Sequence, residues 1–371
     1  MKRIAIDARI ISTSTGRYVE RLLHYLQESD QHNQYLVLML TKDMGSWRPV
    51  SPNFKIIAAD FPPYSFREQF QFTLLLYRLR LDLVHFTMPN HPLMYVKKHL
   101  ITIHDLTLIK YINKRREGWV KNLYKHLIKP LVFRSVLRVG VSSASHIITP
   151  TKYVMNAIQK DYGVPDKRIS YTHEAADALA SKSLEPKPTI AKPFMLYVGN
   201  AYPYKNLKRL VKAAEEVNRS KPITLVLAGK PDYFYDELKT YVTKEHIGNV
   251  RFAGFVSDAE LAWLYQHATL YVFPSLSEGF GLPPLEAMTY GLPVAAARAS
   301  CLPEVLQDAA VYFDPHDTSS MAQVIGDTLH DAAKLRSLKQ AGLKHVKGFS
   351  WRRMAEQTHR IYIQSLEAKS D

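Results

Sequence analysis

The sequence predicts an α/β chain of two domains, each a parallel sheet covered by helices on both faces. Short apolar runs recur along the chain, at 4–8, 35–40, 54–58, 83–86, 100–103 and 169–173, then at 194–199, 223–229, 250–255, 270–273 and 309–314. Helix-length stretches separate most of them, and such alternation implies crossover connections and parallel strands. The length of 371 residues suits two domains of ordinary size, and 46% hydrophobic residues supply two cores and exclude disorder. Between the halves, residues 181–193 carry Pro186, Pro188 and Pro193 with few apolar groups, and read as a linker. The expected domains are 1–185 and 186–350, followed by a terminal helix at 351–371.

Composition narrows the class further. Cys301 is the single cysteine, so no intramolecular disulfide can form; this fits a reducing compartment, with Cys301 an inert small residue. The N-terminus is charged too early, at Lys2 and Arg3, for a secretory leader, and reads as a first strand. No apolar run approaches the roughly 18–20 residues of a spanning helix. The expected location is the cytoplasm, free or peripheral to the inner face of the membrane.

The net charge is +15, and it is uneven. Residues 1–185 hold 27 Lys+Arg against 15 Asp+Glu, whereas 186–371 hold 22 against 19. A basic face can meet nucleic acid, an anionic membrane or a phosphorylated substrate. Residues 110–138 concentrate the excess, with nine Lys/Arg and one acid. There Trp119, Leu123, Leu127 and Ile128 share one helical side while Lys121, Lys125 and Lys129 line another. The pattern fits a membrane-surface helix, and equally a core-facing stripe with solvated lysines.

In the first half, a polar turn at 12–17 containing Gly16 leads into an amphipathic helix at 18–26. A second helix at 66–80 carries Phe70, Leu74 and Tyr77 on one side. Pro89, His91 and Pro92 mark a loop after the strand at 83–86. The strand at 100–103 ends at His104 and Asp105. In parallel sheets ligands gather at the carboxyl ends of strands, although a His-Asp pair by itself reads as a cap. Apolar pieces follow at 139–141 and 146–149, then a helix through Lys160.

In the second half, the strand at 194–199 ends at Gly199 and Asn200. Lys205 stands at the entry to a helix at 207–217. Gly229 and Lys230 close the next strand; Phe255 and Val256 close another, with Asp258 as the expected cap of a helix at 259–267. The central stretch is 273–294. Pro274 and Ser275 stop a buried strand, a glycine-bearing loop runs from Glu278 to Gly281, and Pro283 and Pro284 suit the first turn of a helix. Gly291 is placed to end it. A strand, a glycine loop and a helix start together present backbone N–H groups and a positive dipole end to a phosphate. Glu278 and Glu286 would repel that phosphate, so they are better suited to accept hydrogen bonds from neutral hydroxyls, such as those of a sugar and a ribose. Helices are expected at 319–342 and 351–367.

Glu278 to Glu286 resembles the E-x7-E motif of the retaining family-4 glycosyltransferases. The flanks match too: Pro274 and Ser275 before it, Ala287 and Met288 after it, then 291–294 and 302–305. The resemblance extends over essentially the whole chain and is closest to bacterial mannosyltransferase-like members that build surface polysaccharides. It implies the GT-B architecture: two Rossmann-like domains facing a central cleft, the first binding a glycan or lipid-linked acceptor, the second a nucleoside-diphosphate sugar, with the final helix crossing back to the first domain. It also implies retention of anomeric configuration and no metal or other cofactor. The absence of an Asp-x-Asp motif at a strand end agrees with this.

The resemblance assigns roles residue by residue. Gly16 approaches the donor diphosphate, His104 lies near the donor sugar and Asp105 orients its loop or meets the acceptor. Gly199, Asn200, Gly229 and Lys230 line the donor edge, and Phe255 and Val256 hold the base. Lys205 neutralises the leaving diphosphate together with the loop of Gly279, Phe280, Gly281 and Leu282. Glu278 holds sugar hydroxyls and Glu286 the ribose. His104, Lys205 and Glu278 form the expected catalytic set. Tyr204 and Asn200 stand where relatives usually carry arginines. Attack is expected on the face from which the leaving group departs, with mannose from a GDP donor as the favoured sugar.

A nucleotide-sugar epimerase or a phosphorylase on the same architecture is the competing enzyme reading. A basic nucleic-acid-binding protein is the competing non-enzyme reading, and no helix-turn-helix, zinc or RNA-binding motif supports it. A Rossmann dehydrogenase lacks its G-x-G-x-x-G after the first strand. The expected partners are therefore a nucleotide sugar, a glycan or lipid-linked acceptor and an anionic membrane surface through 110–138, and not nucleic acid.

Overall fold

The computed structural model describes residues 1–13, 15–63, 65–107, 111, 129–178, 190 and 192–368. The chain forms two compact units: Met1–Glu174 with Ser350–Asp371, and Ala175–Phe349. The first division falls at Glu174 rather than at 185, and most of the expected linker lies outside the described residues.

The first unit is built on seven parallel strands in the order β3-β2-β1-β4-β5-β6-β7. They are β1 (Arg3–Asp7), β2 (Gln34–Met39), β3 (Phe54–Ala58), β4 (Leu83–Phe86), β5 (His99–Thr102), β6 (His146–Thr149) and β7 (Ile169–Tyr171). β1 lies inside the sheet, with Ile4 opposite both Tyr35 and Leu83. Its Ile4, Ala5 and Ile6 are fully buried, as expected of a strand covered on both faces.

Helix α1 (Gly16–Ser29) buries Val19, Leu22, Leu23 and Leu26, the three-and-four spacing of one helical face. The last helix of the chain, Trp351–Glu367, packs on α1 and belongs to this unit. It buries Met354, Ile361 and Tyr362. His359 donates through Nε2 to Asp30 at 2.9 Å, and the Tyr362 hydroxyl lies 2.6 Å from His85 Nδ1.

Two segments differ from expectation. The helix expected at 66–80 opens with a π turn, Glu68–Phe72, before α2 (Thr73–Arg78). Phe72 and Leu76 face the core, whereas Phe70 and Leu74 are exposed. Glu68 is drawn inward to Arg9 at 2.9 Å, and the wider turn carries Phe70 outward. The piece at 139–141 lies inside a helix, α3 (Lys129–Ser143). Residues 108–110 and 112–128, with Trp119, Lys121, Leu123, Lys125, Leu127 and Ile128, lie outside the described residues.

The second unit holds six parallel strands in the order β10-β9-β8-β11-β12-β13. They are β8 (Phe194–Val198), β9 (Thr224–Ala228), β10 (Val250–Gly254), β11 (Leu270–Phe273), β12 (Val294–Ala297) and β13 (Ala310–Phe313). β12 and the helix Tyr233–Lys244 have no counterpart among the expected elements; Asp232 caps that helix through the N–H groups of Phe234 and Tyr235. The helix Asp258–His267 is capped by Ser257 rather than Asp258. Ser257 Oγ accepts from the Glu260 N–H, and the Glu260 carboxylate accepts from the Ser257 N–H at 2.8 Å, a reciprocal box. The expected helix at 319–342 is two helices, Thr318–His330 and Ala332–His345, which share Asp331 as end and cap.

Each sheet changes its winding direction at one neighbouring strand pair, β1 and β4 in the first unit, β8 and β11 in the second. Ligands of such sheets bind beyond the carboxyl ends of the strands at that point. Among the described residues no helix is long and apolar enough to cross a membrane.

Asp30 anchors the last helix and gives an acid-stability prediction. Burial opposes its ionisation, but hydrogen bonds from His359, Tyr35, Asn33 and the His32 N–H outweigh burial and hold its pKa well below the ordinary carboxylate value. A depressed carboxylate stabilises the fold above its unfolded pKa of about 4, and this contribution is lost as the pH falls towards the folded value. Asp30→Ala should therefore lower the unfolding free energy at neutral pH by about 2–3 kcal/mol. The difference from wild type should narrow below about pH 4, as read by urea unfolding across that range.

Candidate active site

The switch point of the second unit gathers most of the expected donor residues. Beyond β8, a short turn (Pro203–Lys205) carries Lys205; beyond β11, the loop carries Glu278. Lys205 Nζ donates to Glu278 Oε1 at 2.5 Å, with both side chains mostly buried. The ammonium also lies 5.2 Å from the Tyr204 ring centre and 5.3 Å from that of Phe273. Tyr204 thus faces the cation with a π surface.

The backbone around the pair is held from several sides. Asn206, in the left-handed region at φ 61°, donates to the carbonyls of Pro274 and Pro315. The Leu276 N–H donates to the Tyr204 carbonyl at 2.8 Å, which joins the two loops. The Glu278 N–H donates to Ser300 Oγ at 3.0 Å, and Cys301 Sγ donates to the Glu278 carbonyl at 3.3 Å. Burial, reinforced by the charge of Glu278, pushes the Cys301 thiol well above its ordinary pKa, in keeping with an unreactive residue.

After Glu278 the chain turns into the helix Leu282–Thr289. Gly281 caps it at φ 91°, where a side chain would be strained and a Cβ would lie 2.9 Å from Leu302. Phe280 is buried against Phe349, ring centres 5.9 Å apart. Gly279 and Leu282 complete the turn that opens the helix. Glu286 is buried in the helix, and its Oε2 accepts from the Tyr265 hydroxyl at 3.2 Å. Gly291 ends the segment at φ 68°.

Gly199 and Gly229 close neighbouring strands at this edge. A Cβ on Gly229 would lie 2.0 Å from the Gly199 carbonyl oxygen, so the close approach itself requires glycine. Tyr235 OH donates to the Gly199 carbonyl and Tyr197 OH to that of Asn200. Lys230 is exposed and Val256 partly so. Phe255 is 75% exposed, an aromatic face left in solvent at the carboxyl end of β10.

His104 and Asp105 lie in the first unit, at the carboxyl end of β5. His104 Nε2 donates to the Thr87 carbonyl at 2.9 Å, and Nδ1 stands 3.4 Å from Glu174 Oε1. Its ring meets Tyr18 edge-on at 4.9 Å. Burial lowers the His104 pKa, but the Glu174 carboxylate, the Thr87 carbonyl and Asp105 raise it by more, so the net shift is upward. With both nitrogens directed at acceptors, His104 is suited to be a fixed cation rather than a proton acceptor. Asp105 is exposed and caps its own turn through the Thr107 N–H at 2.8 Å. Gly16 begins α1, where a Cβ would sit 1.8 Å from the Ile11 carbonyl oxygen; packing alone demands glycine there.

Sequence reasoning missed a buried charge cluster at the first unit's switch point. Arg9 forms a two-point ion pair with Asp7 at 2.7 and 2.8 Å and also reaches Glu68 at 2.9 Å and the Phe61 carbonyl at 2.7 Å. Asn90 donates to both Glu68 oxygens at 2.8 Å. Burial lowers the Arg9 pKa, but Asp7 and Glu68 raise it further, so the guanidinium stays charged. The signal was available: charged side chains two residues apart at the end of a first apolar strand. Glu174, just past β7, follows the same carboxyl-end rule that singled out His104. Among the described residues no group of three or more His, Cys, Asp or Glu is placed to hold a metal ion.

The His104 contacts generate a titration prediction. A histidine whose pKa is raised in the fold favours its charged form, and that preference is lost as the pH rises through the folded value. His104 should titrate above 6.5 in the wild-type chain, and Glu174→Gln should move it downward. The ring-proton NMR signal of His104, followed against pH in both chains, measures the shift directly.

Two family models match the chain. "Glycosyltransferase Family 4" covers residues 15–178 and "Glycosyl transferases group 1" covers residues 180–345. The chain is 30% identical over 282 residues to the O-antigen chain mannosyltransferase B of Escherichia coli, an alignment spanning 72% of this chain and 70% of that protein. It is 28% identical over 239 residues to the O-antigen chain mannosyltransferase RfbU of Salmonella typhimurium, spanning 64% and 62% respectively. Among solved structures, the sucrose-phosphate synthase of Thermosynechococcus elongatus superposes over the whole of both chains with a TM-score of 0.76 at 20% identity, a likeness of fold. Matched by family models in both halves and by a relative aligned over more than two thirds of its length, the chain belongs to the family-4 glycosyltransferases, enzymes of the GT-B fold.

Proposed function

We propose that the chain is a retaining, metal-independent mannosyltransferase. It would move mannose from a nucleoside-diphosphate donor, GDP-mannose in the first instance, to a glycan or lipid-linked acceptor in surface polysaccharide synthesis. The carrying observation is the Lys205–Glu278 pair across the β8/β11 switch point, beside the helix start at Gly281 and with Glu286 eight residues on. The O-antigen mannosyltransferase relatives support the choice of sugar.

In this reading the donor diphosphate lies against Lys205 and the backbone N–H groups of 280–282, where the helix dipole adds to the cation. Glu278 accepts hydrogen bonds from sugar hydroxyls and Glu286 from the ribose. Phe255 offers its exposed ring to the base. Bond making and breaking occur on one face of the sugar. The acceptor oxygen bonds to the anomeric carbon as the bond from that carbon to the phosphate oxygen breaks, and the acceptor proton passes to the departing phosphate oxygen. Lys205 meets the negative charge that grows on the leaving group. His104, held by Glu174 and Thr87, positions the sugar. Acceptor binding is assigned to the first unit, with Asp105 at its carboxyl edge. The basic segment 110–138 is the proposed membrane contact, consistent with an enzyme working at the inner face of the membrane.

Transfer from GDP-mannose should persist in a chelator of divalent metals, and NMR of the product should show the donor's anomeric configuration. Glu286→Ala should lower kcat/KM at least about 100-fold while the melting temperature of the unliganded chain stays near wild type. Near-normal turnover in that variant, or an absolute metal requirement, would contradict the reading.

A further inference from the structure

The first unit exposes an apolar face that the proposed chemistry does not use. Phe66 is 85% exposed, Phe70 54% and Leu74 55%, in register along the π turn and α2. A neighbouring loop adds Leu93, Met94 and Val96, the last 80% exposed. The loop is fastened beside the helix. The Leu93 N–H donates to Gln69 Oε1 at 2.8 Å, Tyr77 OH donates to the Met94 carbonyl at 3.3 Å, and the Val96 N–H meets the same phenol oxygen at 3.3 Å. Gln69 and Tyr77 lie three positions beyond Phe66 and Leu74, so helix stripe and loop form one surface. Soluble proteins rarely leave contiguous apolar faces of this kind uncovered.

The charge around this face is mainly positive; the exposed carboxylate beside Arg67, that of Asp60, is held by the Thr41 N–H and hydroxyl. Arg67, Arg78, Arg80 and Lys97 are exposed along it. Lys97 Nζ lies over the Tyr77 ring at 5.5 Å, and Arg67 is turned to Gln71 and the Phe61 ring. Residues 61–98 contain two acids. Glu68 is buried against Arg9 and Asn90, and Asp82 is bound to the Lys2 ammonium and the Arg3 N–H. Exposed aromatic and aliphatic side chains interleaved with arginine and lysine, without exposed unpaired carboxylate, match an anionic bilayer surface: rings and chains enter the interface and the cations meet phosphate headgroups. A partner protein of neutral or basic surface would leave those cations unmatched.

We propose that Phe66, Phe70, Leu74, Leu93, Met94 and Val96, rimmed by Arg67, Arg78, Arg80 and Lys97, form a docking face for an anionic lipid bilayer. These residues lie outside the segment 110–138 in the sequence. The inference deepens the reading of a membrane-borne acceptor. The helix bearing the face starts above the carboxyl edge of the first sheet, and Glu68 on its first turn joins Arg9 there. Docking through this face therefore sets that edge close to the lipid surface, where a lipid-linked glycan is presented.

The test is co-sedimentation of the full chain with vesicles of phosphatidylcholine alone and of phosphatidylcholine with phosphatidylglycerol. Wild type should sediment with the anionic vesicles, less so at high salt, and remain largely in solution with the neutral ones. The double variant Phe70→Glu with Leu74→Glu should weaken binding to anionic vesicles at least about tenfold. Phe66→Glu with Val96→Glu, at the two most exposed positions, should do the same and guards against misfolding of the first pair. Melting temperature and transfer to a water-soluble acceptor glycan should be unchanged in both. Unaltered vesicle binding in both variants would overturn the face while leaving 110–138 and the proposed reaction untouched. A wild-type chain that ignores anionic vesicles but forms a dimer, which both variants dissociate, would overturn it in favour of a second copy. Loss of soluble transfer with normal melting in both variants would assign the face to the reaction instead.

Discussion

The carboxyl edge of the second sheet depends on one ion pair, Lys205 with Glu278. Two strands that are neighbours in the sheet but distant in sequence deliver its halves, so the pair exists only when β8 and β11 are correctly joined. Both charges are largely withdrawn from water, and each would be costly without the other. The surrounding bonds serve the pair: Asn206 ties the Lys205 turn to the Pro274 carbonyl, Leu276 ties the loops together, and Ser300 and Cys301 hold the Glu278 backbone. In the proposed reading, a diphosphate entering this edge would offer the ammonium a second anion, and a sugar would offer the carboxylate neutral donors. The pair would then keep a cation and an acceptor in place before either ligand arrives, which is the preorganisation that electrostatic catalysis requires.

The two units use one winding pattern with opposite electrostatic outcomes. At the first unit's switch point, Arg9 is enclosed by two carboxylates, Asp7 and Glu68, and the cluster carries excess negative charge. At the second, Lys205 faces a single carboxylate beside a helix start. In the proposed reading, phosphate is disfavoured at the first edge and finds Lys205 and the helix start at the second. This difference supports placing the donor on the second unit and a neutral, hydroxyl-rich acceptor on the first. His104, near the first unit's edge, is tied by Glu174 and the Thr87 carbonyl, and against the effect of burial Glu174 shifts its pKa upward.

Much of this was legible in the chain. The parallel sheets followed from alternating apolar runs, and the loop of Glu278 to Gly281 followed from glycine and proline placed after a strand. What escaped has identifiable causes. The Lys205–Glu278 contact spans 73 positions, and no local pattern reports a pairing between strands. The strand Val294–Ala297 is mostly alanine, so its sequence carries little apolar signal although it is fully buried. The stripe of Phe70, Leu74 and Tyr77 has the spacing of a core face, but the π turn and the pull of Arg9 on Glu68 turn Phe72 and Leu76 inward instead. Ser257 rather than Asp258 caps its helix because Glu260 closes the reciprocal box from three residues on. The resemblance to the family carried the roles of Glu278 and Glu286 further than geometry alone could.

Calorimetric titration of GDP, with UDP in parallel, into the wild-type, Lys205→Ala and Glu278→Gln chains in metal-free buffer tests the central claim most directly. If Lys205 is the cation for the diphosphate and Glu278 its resting partner, Lys205→Ala should weaken nucleotide binding by about 100-fold. Glu278→Gln, which frees the ammonium, should bind at least as tightly as wild type. Equal weakening in both variants, or unchanged affinity in Lys205→Ala, would contradict the account.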